Sequence, residues 1–316
     1  MKLATLGRTS WIVIARALEA LAVVVIVASL VFLVMRLVPG DPARLVLGDQ
    51  ATEAQLAALR HKLGLDRSLF AQYLHFLKGL ATLDLGESIR RPGVTAFSRV
   101  RAAALPTAAL AGFAVGAGAI LGTLASVLAA GPFLGKNRRH VDRVLALVSA
   151  SPLLAFAPIV TWLFAAKWRL LPLPGDPDAG IAGILFAGGL LALPLAAQVG
   201  RVGRAALEAI ARAPFLSAAR AKGASQARVW LLHAVPSASG PILTVVATQL
   251  GALLGGAVVV EKLFERPGLG TLLIEAYASR DLPVLEATVV AAGALFVAVQ
   301  VLAATLHAMI DPRVRR

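Results

Sequence analysis

The string GPFLGKN at 131–137 is the nearest this chain comes to a nucleotide-binding loop. Such a loop needs a glycine, four residues, Gly-Lys and then a hydroxyl residue, so that backbone N–H groups cradle phosphate and the hydroxyl reaches a metal. Ala130 stands where the first glycine belongs and Asn137 where the hydroxyl belongs, and the string is rejected. The five histidines, at 61, 75, 140, 233 and 307, have no metal-ligand spacing. No Gly-x-Ser-x-Gly elbow occurs. There is no cysteine, hence neither a thiolate nor a disulfide framework. No catalytic residue, metal or cofactor is expected, and the chain is not expected to be an enzyme.

The remaining polar side chains of interest lie in or beside apolar runs. Gln198, Gln249 and Gln300 are three such residues. In lipid they either hydrogen-bond between helices or line a path for a polar solute, and both readings stay open here. His307, in the last apolar run, is read as facing a bundle or snorkelling to the nearby interface. Arg16 and Glu19 are read as an interfacial pair on the first run.

The elements that carry these residues follow from composition. The chain has 316 residues, of which 58% are hydrophobic and 15% charged, and its mean hydropathy is +0.80. That departs from a soluble domain toward long apolar blocks, each about the length that crosses ~30 Å of hydrocarbon. The short alternating segments of a membrane barrel are not seen. Six spans are predicted, at Trp11–Met35, Ala103–Ala130, Val144–Ala166, Ile181–Val199, Ile242–Val260 and Ala287–Ile310. The first is read as a retained span, since it is too long for a signal peptide and no small-residue cleavage site follows closely.

The net charge of +14 is assigned to loops and not to nucleic-acid binding. Lys136, Arg138, Arg139 and Arg143 lie between spans 2 and 3. Arg201, Arg204, Arg212, Arg220, Lys222 and Arg228 lie between spans 4 and 5. Basic residues collect on the cytoplasmic side, so both termini are expected inside. The segment 36–102 is then an extracytoplasmic cap. In it Thr52 is a candidate N-cap, Leu56, Leu59 and Leu63 share a helical face, Gly64 is a candidate C′ residue, and a second helix is predicted over Leu69–Leu80.

The inner loop 201–238 carries the sharpest pattern. Arg204, Glu208 and Arg212, four apart, share a face of a helix that continues span 4. Pro214 and Gly223 bracket a helix of about two turns, with proline at its first position and glycine just past its end. Ser225 can cap a further helix over Gln226–Ala234, which Pro236 is expected to end. The short helix is SAARAKG, small and basic, too polar to span and too slight to form a core.

AARAKGASQARVWLLHAVPSASGPILT, from Ala218, resembles the cytoplasmic loop of permease subunits in bacterial ATP-binding-cassette importers, most closely the dipeptide/oligopeptide/nickel branch. The general loop pattern is Glu-Ala-Ala, a glycine, then a proline. Ser217 takes the Glu position and Ala218, Ala219, Gly223 and Pro236 match. The resemblance continues through RLVPGDPARLVLG (36–48), LGLDRSLFAQYLHFLKGLATLDLGESI (63–89), GALLGGAVVVEKLFERPGLGTLLIEAYASRDLPVLEA (251–287) and DPRVR (311–315). Ala213-Pro214-Phe215 departs from it, where the branch often has an acidic-aromatic pair.

The resemblance implies an all-α, polytopic, six-helix type I importer transmembrane domain in the bacterial inner membrane. It implies three parts: the N-terminus and first span (1–35), the cap (36–102), and a core of five spans (103–316). It implies a permease for di- or oligopeptides that works with a second permease subunit, as a heterodimer, with two cytoplasmic ATPases, and with an extracytoplasmic solute-binding protein. Ala218, Ala219, Arg220, Ala221, Lys222 and Gly223 are then the ATPase-coupling residues. Selection of solute is expected to rest largely on the binding protein. The rival reading is a self-contained secondary transporter or channel for a small polar solute. It calls for intramembrane acids or inverted repeats, and neither is seen.

Overall fold

Small polar side chains start several helices of this chain, and proline and glycine stop them. Thr52 Oγ1 accepts from the Gln55 N–H at 3.4 Å while the Gln55 side chain accepts from the Thr52 N–H at 2.9 Å, a closed capping box. Ser68 caps the next helix through the Ala71 N–H, and Asp41 caps an earlier one through the Ala43 N–H. Gly64, with φ +66°, ends the helix that Thr52 begins.

The computed structural model describes the backbone of residues 2–37, 41–48 and 50–310. In chain order the helices are α1 (Lys2–Leu37), α2 (Pro42–Leu47), α3 (Glu53–Lys62), α4 (Leu69–Thr82), α5 (Ala96–Ala130), α6 (Arg138–Ala150) and α7 (Leu153–Thr161). They continue as α8 (Gly180–Ile210), α9 (Pro214–Ala221), α10 (Gln226–Val229), α11 (Val235–Ser237), α12 (Ser239–Leu263), α13 (Leu269–Ala278) and α14 (Leu282–Ile310). Among the described residues the only β pairing is an isolated bridge between Glu87 and Thr95. The predicted helix over Leu69–Leu80 is α4, and the expected all-α polytopic architecture holds. The DPRVR tail and the side chains of Arg16 and His307 lie outside the described residues.

Among the described residues five helices are long and apolar enough to cross a membrane, at Leu18–Leu37, Ala96–Ala130, Gly180–Ile210, Ser239–Leu263 and Leu282–Leu302. The third predicted span, Val144–Ala166, is broken, and the count reaches six when the bent pair is taken as one span. It is two segments, Gly135–Ala150 and Leu153–Lys167, bent by 111° at Ser151-Pro152. Pro152 has no N–H to continue the helix, and it holds Ser151 in an extended conformation. The second segment closes with a π-helical turn, Trp162–Lys167.

The chain forms two compact units. One comprises residues 1–107 and 267–301. In it α1 meets α4 through Phe32 against Tyr73 and Phe76, and Ser29 shares a 2.7 Å hydrogen bond with the Tyr73 hydroxyl. Arg36 pairs with Glu286 at the start of α14 and lies 4.2 Å over the Phe32 ring. Ala96, Val100 and Ala103 of α5 share a core with Leu269, Leu272 and Ala276 of α13 and with Val284.

The other unit comprises residues 108–266 and 302–316. Its spine is α8, which packs against α12, α6 and α7 and meets α5 through glycines. A β-carbon at Gly122 would fall 2.6 Å from the Ala196 carbonyl oxygen, and one at Gly118 would fall 2.8 Å from Leu195. Gly200 sits against Leu145 of α6, and Gly203 sits against Ser126 of α5 and Ile242 of α12. Small residues let backbones approach where no hydrophobic drive from water exists. Of the paired glycines, Gly118 and Gly122 serve this purpose, whereas β-carbons at Gly112 and Gly116 would meet open space.

Candidate functional site

The far end of α8 carries the first part of the site. Arg204 bonds Glu208 one turn on, Nε to Oε1 at 2.9 Å, and its Nη1 pairs with Asp142 of α6. The predicted Arg204–Glu208–Arg212 face is thus realised by its first two members. Asp142, 62 residues earlier in sequence, is a partner that spacing cannot reveal.

After Ile210 the chain turns. Ala213 is extended at φ −63°, ψ 138°, as the residue before a proline must be, and Pro214 takes the first position of α9. The N-cap Ala213 makes no side-chain bond, so the departure at Ala213-Pro214-Phe215 leaves the proline to set the start of this helix. One side chain anchors it: Leu216 is fully buried. Ala218, Arg220, Ala221 and Lys222 are exposed and Ala219 is half-buried. At 100° per residue, Pro214, Ala218 and Ala221 stand opposite Leu216. The outward ridge is therefore almost bare of side-chain bulk, with Lys222 and the exposed Phe215 along its flank and Arg220, one turn after Leu216, exposed on the other side.

The helix ends in a Schellman motif. Gly223 N–H bonds Arg220 O at 2.9 Å, and Ala224 N–H bonds Ala219 O at 3.2 Å. Gly223 has φ +83°, and a β-carbon there would meet nothing within 4 Å. The glycine is required by its backbone conformation alone. Two residues on, the Ser225 side chain accepts from the Arg228 N–H and caps α10. Val229 and Trp230 are buried behind it, with Trp230 edge-on to Phe133 at 6.4 Å.

The expectation that Pro236 ends this helix is corrected. Helical backbone runs through Pro236 to Ser237 and breaks at Ala238. A π turn over Trp230–Ala234 precedes the proline, with Val235 N–H reaching back to Trp230 O. That wider turn accommodates a ring that would otherwise crowd the carbonyl four residues back.

Gln198 on α8 and Gln249 on α12 are both half-buried and belong to neighbouring helices of one unit. Gln300 is half-buried on α14, within the other unit. None of the three has a side-chain hydrogen bond to a described residue. No group of three or more metal-ligating side chains occurs among the described residues.

A second polar cluster was not read from the sequence. Asp281 is fully buried. It accepts from the Ser88 hydroxyl and from the Ile89 N–H at 3.0 Å, and Arg99 lies 3.9 Å away. Arg90 bonds the Ser279 carbonyl at 2.6 Å, and Arg99 also reaches Glu275 at 3.3 Å. The segment after α4 is thereby clamped to the turn between α13 and α14.

Residues 118–316 match the family described as binding-protein-dependent transport system inner membrane component. Residues 10–91 match its N-terminal counterpart. The chain is 30% identical over 313 residues to the "Probable peptide ABC transporter permease protein y4tP" of Sinorhizobium fredii, covering 96% of this chain and 98% of that one. It is 33% identical over 309 residues to the "Glutathione transport system permease protein GsiC" of Escherichia coli O6:H1, with the same coverage. The GsiC protein of Shigella boydii serotype 4 matches to the same extent.

Proposed function

This chain belongs to the family of inner membrane components of binding-protein-dependent transport systems, and from that premise we propose that it imports di- or oligopeptides as one of two paired permease subunits. It is a multi-pass inner membrane transport subunit of an ATP-binding-cassette importer. Other subunits hydrolyse ATP and capture solute.

The observation that carries the proposal is the form of α9. A helix of two turns, fixed at Leu216 and closed by Gly223, offers a slim and basic ridge beyond the last turn of α8. It has the shape of something that enters a groove. No Asp or Glu occurs between Glu208 and Glu261, so the ridge suits an acidic partner surface. Ala218, Ala219, Arg220, Ala221, Lys222 and Gly223 are the proposed contact with an ATPase. Closure of the ATPases would move α9, and α9 would move α8. In this reading 1–35 is the first span, 36–102 the extracytoplasmic cap and 103–316 the translocating core, with both termini cytoplasmic. Gln198, Gln249 and Gln300 are the proposed path-lining residues; none of them makes a side-chain hydrogen bond to a described residue.

The peptide assignment rests on the names of two relatives, a peptide permease and a permease for glutathione, itself a small peptide. Identifying the ligand of the cognate binding protein tests it: a sugar or a simple metal ion in that site would replace peptide as the cargo. For coupling, Gly223→Asp and Ala219→Glu are expected to leave the chain in the membrane and to abolish solute-stimulated ATP hydrolysis by the complex. Normal stimulation in both variants would sink the docking role. Solute uptake by the isolated chain in vesicles, without ATPases, would favour a self-contained transporter instead.

A further inference from the structure

Between α5 and α8 the chain places four cations on one short segment. Lys136, Arg138, Arg139 and Arg143 are all exposed, and none makes an ion pair with a described residue. Gly135, Lys136, Arg138 and Arg139 line a shallow surface concavity. Asp142, the one acid among them, is taken by Arg204.

The same segment carries apolar side chains that nothing in this unit covers. Leu145 of α6 is buried against Gly200 of α8, which fixes the packed face. At 100° per residue the opposite face holds Arg139, Arg143 and Leu147, with Val144 on its flank. Val144 is 58% exposed and Leu147 68%, and Leu154, just past the bend at Pro152, is 68% exposed. Charge therefore gives way to apolar surface along the outward face within about 12 Å of helix. That gradient matches the step from phosphate to hydrocarbon at a membrane surface. A polar protein surface would satisfy the cations and leave Val144, Leu147 and Leu154 poorly matched.

We propose that the segment Lys136–Leu147 binds an anionic phospholipid, its phosphate among Lys136, Arg138, Arg139 and Arg143 and its acyl chains over Val144 and Leu147. The chemistry is that of a polybasic site with an apolar shelf, which attracts anionic headgroups more than zwitterionic ones. Because α6 is locked to α8 through Leu145 and Asp142, a bound lipid would also hold the inner part of α8 at a fixed depth. The inference rests on the membrane-spanning reading of the chain and is independent of the coupling role of α9.

The test uses the full chain, purified and delipidated in detergent, with native mass spectrometry reading retained lipid. Wild type is expected to retain phosphatidylglycerol over phosphatidylcholine. Lys136→Gln, Arg138→Gln, Arg139→Gln and Arg143→Gln together are expected to reduce that preference roughly tenfold or more. Val144→Ser with Leu147→Ser keeps the charges and should also lower phosphatidylglycerol retention. Arg220→Gln with Lys222→Gln, basic residues elsewhere, should leave retention at the wild-type level. Equal retention by wild type and the fourfold variant overturns the proposal. Displacement of the lipid by millimolar inorganic phosphate overturns it as well, because the site would then be one for a free anion. Unchanged lipid retention with lost ATP hydrolysis in the assembled complex would make this face a protein contact, again against the proposal. Failure of the Gly223 and Ala219 experiment would leave all of these outcomes untouched.

Discussion

A buried carboxylate is held here by donors from three places: the Ser88 hydroxyl, the Ile89 backbone and, farther off, the Arg99 guanidinium around Asp281. Removing the acceptor strands buried donors, which costs more than the bonds contribute on balance. Asp281→Ala is expected to lower stability by about 2–3 kcal/mol, read as a fall in the thermal midpoint of the purified chain. Asp281→Asn keeps the shape and an acceptor oxygen, and should cost less. Another acid, Asp41, ties α2 to α3 through Arg60, at 3.0 Å from Nε. Hydrogen bonding to Arg60, helped by the Ala43 N–H, holds the Asp41 carboxyl below its usual range despite the opposing effect of desolvation. A depressed folded-state pKa gives stability that is present above the unfolded value, about 3.9, and lost as pH falls through the folded one. Amide exchange in α2 and α3 should therefore quicken only below about pH 4, and Asp41→Asn should remove that dependence. Quickening that begins near pH 6 would point to a histidine instead.

At the scale of the element, local signals were legible and distant ones were not. The Thr52 cap, the proline start and glycine stop of α9, and the Ser225 cap each involve residues within a few positions of one another, where spacing carries the geometry. The bend at Ser151-Pro152 was hidden inside an apolar run, because Val144–Ala166 has the hydropathy of a span whether or not it is straight. Pro236 misled for the opposite reason: a proline reads as a stop, while a π turn before it is invisible in composition. The Asp142–Arg204 and Ser88–Asp281 contacts join residues 62 and 193 positions apart, beyond what periodicity can address. Glycine at helix crossings gives a prediction of its own. Gly122→Val would drive a side chain into the Ala196 carbonyl and Val199, and is expected to cost about 1–3 kcal/mol. Gly116→Val, six residues earlier and facing open space, should cost far less when the isolated chain is assayed by thermal unfolding.

For the whole molecule, membrane orientation can be read by labelling, since the chain contains no cysteine and single cysteines can be introduced singly. Ser217→Cys on α9 is expected to react with an impermeant maleimide only from the cytoplasmic side, and Ala57→Cys on α3 only from the outside. The opposite pattern would invert the proposed topology and remove α9 from reach of any ATPase. The length of α8 has a mechanical consequence. Thirty-one residues at 1.5 Å each make a rod of about 46 Å. Close contacts hold it along most of that length, from Gly188 against Phe113 and Leu191 against Gly256, through Leu195 and Ala196 at Gly118 and Gly122, to Gly203 against Ser126 and Ile242. A push at its inner end, where α9 begins, would therefore carry α8 along with α5 and α12 as one body. Spin-label distances measured from positions near 183 and near 210 to a reference on α12 should stay the same between nucleotide states. A change at the 210 end alone would mean that the last turns of α8 bend instead.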